Sequence, residues 1–369
     1  MTTMVDTLDG YTRPAFLVQS EIESIRCLAC AHRCLIKPGK RGLCKIRFNR
    51  DGILMAPHGY IAGAQIDPIE KKPFFHFLPG SDALTFGMLG CDFHCDFCQN
   101  WPSSQVLQDD RASNAIGSIQ RVEPEQLVQM ALQSGAQVIA SSYNEPLITT
   151  EWAIEIFKLA VHAGIKCVFV SNGNATPEAL LALQPFLSGY KIDLKSMQQK
   201  NYRDLGGKLQ NVLDTIKLAH EMGFWVEIVT LVIPDYNDSN EELWDAARFI
   251  TSISNDIPWH VTAFHPDYHM LDRSPTSVES LTRAVEIGQE AGLHYVYAGN
   301  LPGQVRSFED TYCPACSSRL IHRRGYMIRE YKITALGTCP KCNAKQAGVW
   351  TERPEKINLG GSGNPRRVL

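Results

Sequence analysis

Ala83-Leu-Thr-Phe-Gly-Met-Leu-Gly90 runs directly into Cys91-Asp-Phe-His-Cys95-Asp-Phe-Cys98. The first eight residues read as a buried strand ended by glycine, which puts the thiols on the loop leaving that strand. Three cysteines stand at spacings of three and two intervening residues, with no fourth close by. Thiolates are soft ligands suited to iron–sulfur clusters and zinc. A complete protein set for a 4Fe–4S cluster is four cysteines. Three leave one iron open, and an open metal position is where a small molecule binds and reacts. A zinc knuckle borrowing a distant fourth ligand is the alternative, but zinc sites normally show two close ligand pairs.

Outward from that loop, strand and helix alternate. The expected strands cover residues 84–89, 137–142, 167–171, 190–194, 225–232, 260–264 and 294–297; each is short and most are rich in β-branched or aromatic residues. Between them, Ile156, Leu159, Ala160 and Ala163 fall on one face of a helix ending at Gly164. Thr176-Pro177 reads as an N-cap with proline at the first helical position. Ser239-x-x-Glu242 and Thr276-x-x-Glu279 read as capping boxes. Such alternation predicts an α/β fold, a parallel sheet with right-handed crossovers. An open or full β/α barrel fits, and a flat doubly wound sheet is the runner-up. Polar residues punctuate the strand ends: Ser142-Tyr143-Asn144-Glu145-Pro146, Ser171-Asn172, Asp193 with Lys195, Thr230, and His265-Pro266-Asp267. In β/α barrels the active site is built at the C-terminal ends of the strands. Singly, each has a plain structural explanation: Glu145 as a helix cap, Asp193 paired with Lys195, His265 as a satisfied core histidine. Their joint placement favours a site.

The chain has 369 residues, a formal charge of −3 and 44% hydrophobic residues, enough for a sizeable core. That charge gives no hint of a nucleic-acid or membrane partner. No apolar run reaches membrane-spanning length, and residues 1–20 lack the pattern of a secretory signal. The twelve cysteines fall as Cys27, Cys30, Cys34 and Cys44; Cys91, Cys95 and Cys98; Cys313, Cys316, Cys339 and Cys342; and Cys167 alone. Without a secretion signal, clustered Cys-x2-Cys spacings mean metal rather than disulfides, and thiols that must stay reduced imply a cytoplasmic protein. The first quartet reads as structural zinc or an auxiliary iron–sulfur cluster; His32 is a candidate substitute ligand but reads rather as a solvent-facing loop residue. The last quartet, two pairs separated by 22 residues, reads as a zinc ribbon. Its linker is basic, but a solvated face is the expected reading. Cys167 opens an apolar strand and reads as a small hydrophobe. The aromatic stretch 64–80, rich in turn formers, reads by composition as a surface loop packing aromatics on a barrel end, with a loop leaning over the active site as the alternative. The expected organisation is a Cys-rich segment and loop over 1–80, a barrel core over 81–305, a ribbon over 306–350 and a tail over 351–369, disordered from Gly360.

The Cys-x3-Cys-x2-Cys loop after a first strand, with Phe97 directly before the third cysteine, resembles the signature of radical S-adenosylmethionine (radical SAM) enzymes. Within that superfamily the chain looks like the glycyl-radical-enzyme activases, such as pyruvate formate-lyase activating enzyme. It resembles in particular the radical enzyme of the AmmeMemoRadiSam system. The resemblance rests on the Cys27–Cys44 quartet, Asp67-Pro-Ile-Glu-Lys-Lys-Pro, Cys91–Cys98 with Gln99-Asn100, Tyr143-Asn-Glu-Pro, Asp193-Leu-Lys, Leu231-Val-Ile-Pro, and Tyr295-x-Tyr with Gly299-Asn300-Leu-Pro-Gly, and it spans roughly residues 20–350. Activases commonly carry Gly-Gly-Glu-Pro where this chain has Tyr143-Asn144-Glu145-Pro146.

The resemblance implies a barrel of the radical SAM type with small Cys-rich metal-binding modules at both ends. It implies a 4Fe–4S cluster on Cys91, Cys95 and Cys98, and S-adenosylmethionine chelating the open iron. Glu145 would hold the cofactor ammonium. Asp193, Lys195 and His265 would contact its carboxylate, ribose or adenine, and Asn172 would lie near the ribose. Reductive cleavage would give a 5′-deoxyadenosyl radical that takes hydrogen from a substrate the sequence does not name. A flavodoxin or ferredoxin would supply the electron, and the Memo-like and AMMECR1-like companion proteins are the implied partners. Installation of a glycyl radical on a partner enzyme is a second reading. A zinc-ribbon binding protein with a vestigial cluster site is a third.

Overall fold

The computed structural model describes residues 3–360 and 366–368. An antiparallel strand, β1 (Gly63–Pro68), precedes seven strands that run parallel to one another: β2 (Asp82–Gly87), β3 (Val138–Ser141), β4 (Lys166–Ser171), β5 (Gly189–Asp193), β6 (Trp225–Val232), β7 (Trp259–Ala263) and β8 (Val296–Gly299). From β1 to β8 they lie side by side in sequence order. A doubly wound sheet needs a point where strand order reverses. None occurs here, so the sheet winds one way round into an open β/α barrel with β8 as an edge. The seven parallel strands are those expected from the sequence, with ends displaced by up to two residues, the usual scatter of strand limits. They are apolar on both faces, as a sheet covered inside and out requires: all four residues of β3 are buried.

Six helices cover the outside: α1 (Pro124–Ser134), α2 (Thr150–His162), α3 (Pro177–Leu183), α4 (Leu209–Glu221), α5 (Asn240–Thr251) and α6 (Val278–Glu290). Ile156 and Ala160 of α2 are buried, with Leu159 packed beside them. Thr176 caps α3 ahead of Pro177, as expected. Two caps differ from expectation. Ser239 caps α5, but the Glu242 carboxylate turns away to Met197 N (2.8 Å) and Gln198 Nε2 (2.7 Å) instead of closing a box. Ser277, not Thr276, caps α6. The Thr276 hydroxyl accepts from Phe264 N at 2.8 Å and donates to the Val232 carbonyl, tying the ends of β6 and β7 together.

The stretch 64–80 is not a surface loop. Its first half is β1, paired along β2; a 3-10 turn, Ile69–Lys71, then leads into Phe74, His76 and Phe77, all fully buried against the barrel. N-terminal to it lie two three-stranded antiparallel sheets. A buried ion pair helps hold this segment to α2: the Arg47 guanidinium donates to both Glu151 oxygens at 2.7 Å. At the other end, β9 (Thr311–Tyr312), β10 (Arg319–Arg324) and β11 (Met327–Tyr331) form the antiparallel ribbon. Part of the tail is ordered against expectation: β12 (Arg366–Arg367) adds an edge to β1, pairing with Ile66 and Gln65. Residues 361–365 and 369, on which the same expectation falls, lie outside the described residues. No helix among the described residues is long and apolar enough to cross a membrane.

Candidate active site

The cysteine loop leaves β2 through Gly90, whose φ of +96° and contact with Ile46 leave no room for a Cβ. It is pinned along its length: Gln105 Nε2 donates to the Phe93 carbonyl (3.1 Å), His94 N to the Leu205 carbonyl (3.1 Å) and Phe93 N to Cys91 Sγ (3.4 Å). Cys91, Cys95 and Cys98 all open on one cavity of about 460 Å³ at the C-terminal end of the strands. Burial pushes the three thiols up, Cys95 to about 12. Metal cations reverse that logic and stabilise thiolates, so these donors suit a cluster.

Glu145, Asn172, Asp193 and Lys195 face the same cavity. Glu145 ends the segment after β3 and does cap, accepting Leu147 N at 3.0 Å; it also accepts Ser171 Oγ (2.7 Å) and Asn172 N (2.8 Å). A carboxylate has about four acceptor sites. Oε1 takes two of these donors and Oε2 one, which leaves a place on Oε2 toward the cavity. Burial, then the nearby charge of Asp92, raises this carboxyl well above the ordinary range. Asp193 stands between Lys191 and Lys195, bonded to both, with Lys195 Nζ at 3.3 Å. Burial opposes its charge, but the two ammonium groups hold Asp193 low. Asn172 is spent on structure: its amide donates to Asp92 Oδ1 (2.8 Å) and its carbonyl accepts Asn174 N (2.9 Å). His265 is exposed at the mouth, within 3.0 Å of Gln99 Nε2, and does not line the cavity.

Several residues of the site escaped the sequence reading. Asp92, inside the cysteine loop, is buried and holds Asn172 and Asn174 (both 2.8 Å). His32 is not solvent-facing: its ring is largely buried, with Nε2 at 3.1 Å from the Asp92 carbonyl oxygen. Lys191 had a usable signal, since residues two apart on a strand share a face, and Lys191 and Asp193 both enter the cavity from β5. Lys72 and Tyr143 enter from opposite sides. Tyr143 occupies the left-handed region at φ +70°, the conformation glycine adopts freely.

The two cysteine quartets differ. The Sγ atoms of Cys313, Cys316, Cys339 and Cys342 lie within 4.8 Å of one another, the only such thiol group among the described residues. Thiolates at about 2.3 Å from one ion lie within about 4 Å of each other, and two of these pairs stand at 3.6 and 3.7 Å. Cys27, Cys30, Cys34 and Cys44 are not drawn to that spacing. They sit beside the triplet, joined to it through Asp92, whose charge adds to burial in raising the thiols of both Cys30 and Cys91.

A sequential open barrel with a thiol triplet opening on a cavity lined by buried charged side chains suits a metal-dependent enzyme. Residues 86–250 match the family model of the Radical SAM superfamily. The chain is similar to an uncharacterized protein of Methanocaldococcus jannaschii, with 36% identity over 84% of this chain and 90% of that one. It is also similar to the pyruvate formate-lyase-activating enzyme of Clostridium pasteurianum, with 25% identity over 48% of this chain and 72% of that one. A radical SAM methyltransferase from Sphaerobacter thermophilus aligns over 80% of this chain and 79% of its own, at 14% identity and a TM-score of 0.46. The chain belongs to the radical SAM superfamily, a superfamily of enzymes.

Proposed function

We propose that the protein reductively cleaves S-adenosylmethionine and abstracts hydrogen from a substrate, as the radical component of an AmmeMemoRadiSam system. The carrying observation is that the three thiols of one short loop open on the same cavity as Glu145, Asp193 and Lys195. Bound there, a 4Fe–4S cluster with S-adenosylmethionine supplies one-electron cleavage of the sulfonium to a 5′-deoxyadenosyl radical. Cys91, Cys95 and Cys98 would ligate three irons. Glu145 offers its remaining Oε2 site to the cofactor ammonium. Lys195, fixed by Asp193, would meet the carboxylate. Asn172 acts as a positioning residue through Asp92 and Glu145, and His265 would reach only the outer edge of the cofactor.

The ribbon quartet has the spacing of a structural zinc site. Cys27, Cys30, Cys34 and Cys44 would hold zinc or an auxiliary iron–sulfur cluster. We assign the electron to a flavodoxin or ferredoxin, the companions to Memo-like and AMMECR1-like proteins, and the location to the cytoplasm. The division at residues 80, 305 and 350 is retained as the working organisation. Installation of a glycyl radical on a partner is the second reading, favoured by the likeness to the C. pasteurianum activating enzyme.

Cys98→Ala tests the first. Assayed anaerobically with dithionite, it should lose the cluster absorbance and 5′-deoxyadenosine formation while the ribbon keeps its metal, since those ligands are separate. Cofactor cleavage at the wild-type rate would refute the radical reading.

A further inference from the structure

The cavity wall carries two clusters of like design. Asp67 lies between Lys71 and Lys72, each at 2.9 Å. Asp193 lies between Lys191 and Lys195. Four cations thus share two carboxylates. The side chains of Lys72 and Lys191 are each only 5% exposed, and both line the cavity. An ammonium has three donors and no acceptor. Lys72 uses one on Asp67 and one on the Tyr143 hydroxyl (3.1 Å); Lys191 uses one on Asp193. Among the described residues the remaining three are free, and buried donors need acceptors.

Tyr143 shows that this wall is built, not incidental. Its left-handed backbone costs on the order of 1–3 kcal/mol for a non-glycine residue, and such strain persists where surrounding structure holds it. Here the strain swings the phenol ring under Lys72 Nζ, 4.6 Å from its centroid, with the hydroxyl 3.2 Å from Asp67. Gly87 opposite makes room: a Cβ there would stand 2.9 Å from the ring. Burial lowers the Lys72 ammonium; Asp67 opposes this only in part, and Lys71 and Lys191 press it further down. Two cations repelling across a buried cavity are relieved by an anion between them. Glu70, also on the wall, offsets them only in part near neutral pH: burial pushes its carboxyl up to about 7, and its Oε1 already accepts Gly80 N at 2.8 Å.

We propose that Lys72 and Lys191, with Tyr143, form a subsite for an oxyanion of the substrate, a carboxylate or a phosphate, held across the cavity from the thiol triplet. It rests on the radical reading for naming the ligand a substrate. The cofactor's own carboxylate belongs to the Lys195 side, so the two sites fill together.

The test uses the full chain, anaerobically reconstituted and reduced, with saturating S-adenosylhomocysteine, which has no sulfonium to cleave. Paramagnetic broadening by the reduced cluster is followed on the ³¹P resonance of inorganic phosphate and, separately, on the ¹³C carboxylate resonance of acetate. Saturable broadening of one or both is expected, and the tighter probe names the anion. Lys72→Met and Lys191→Met should each weaken it at least tenfold. Lys191→Met breaks a single hydrogen bond and decides the matter if Lys72→Met fails to take up iron. No saturable broadening by either probe, unchanged affinity in the variants, or abolition by S-adenosylhomocysteine would each overturn the subsite. Failure of the radical reading is separable: it appears as no 5′-deoxyadenosine from wild type with S-adenosylmethionine.

Discussion

Replacing Glu145 with glutamine isolates the role given to that carboxylate. An alanine would strand three donors, Leu147 N, Ser171 Oγ and Asn172 N, and confuse binding with folding. Glutamine keeps the shape. Its Oε1 can still accept from Leu147 and Ser171, whereas its amide nitrogen would face the Asn172 N–H, two donors opposed. That mismatch costs about 1–3 kcal/mol of stability. The lost charge costs a further ~1.5–3 kcal/mol, specifically for a ligand carrying an ammonium. At 1.4 kcal/mol per decade this is roughly 10- to 150-fold in S-adenosylmethionine affinity. The assay is anaerobic titration of the cluster spectrum with S-adenosylmethionine, set beside the affinity for 5′-methylthioadenosine, which lacks the amino-acid moiety. The first affinity should fall and the second should hold. The wild-type carboxyl is raised by burial and Asp92, so the free protein must release a proton for the ammonium to bind. Affinity should therefore rise with pH above the ordinary carboxylate range in wild type and stay flat in Glu145→Gln. Equal losses for both ligands, or a change under threefold, would refute the assignment.

Two further outcomes follow from burial and metal coupling. Glu70 goes from an ordinary 4.5 to about 7 because burial disfavours its charge; its contribution is thus most favourable below the unfolded value and is lost as pH rises from there toward the folded one. Glu70→Gln should flatten that slope by up to about 3 kcal/mol, read as melting temperature against pH. Cys316→Ala should release the ribbon metal and open residues after 310 to protease; unchanged resistance would count against a metal site there.

The strands were legible because a parallel sheet buried on both faces writes itself as short apolar runs, and the cysteine loop because spacing alone marks it. What stayed hidden depends on packing. Glu70, Lys72 and His76 look like surface residues in a stretch of charge and turn formers, yet each is at most 5% exposed, since β1 carries them under the barrel. The tail strand is invisible for a related reason: two arginines have no strand signature, and only the open edge of β1 orders them. Tyr143 shows the limit most clearly. A positive φ is unfavourable for tyrosine, and only the contacts with Lys72 and Asp67 show what accompanies it at Tyr143.

The effect of losing the ribbon metal should not stop at the ribbon, because the barrel floor is held by a hydrogen-bond chain that begins there. Arg323 of β10 donates to Thr311 Oγ1 at 2.6 Å, which lies 2.8 Å from the Tyr297 hydroxyl, itself 2.6 Å from His76 Nε2. His76 Nδ1 meets the Ala347 carbonyl at 2.7 Å. Burial pushes His76 down to about 4, so the ring is neutral and has one donor and one acceptor. A guanidinium only donates and a carbonyl only accepts, which fixes every proton between: Arg323 to Thr311, Thr311 to Tyr297, Tyr297 to His76, His76 to Ala347. Both ends of the chain belong to the C-terminal module and its middle to the barrel. The backbone of Phe75 and His76 is held in turn by Glu227 (2.9 Å each), which also accepts Trp225 Nε1 at 2.9 Å and meets His260, a cavity residue, at 2.7 Å. A chain with one allowed polarity has no alternative arrangement to relax into. Cys316→Ala should therefore speed amide exchange at Phe75 and His76 as well as beyond residue 310, while the buried strands β3 and β4 keep their protection.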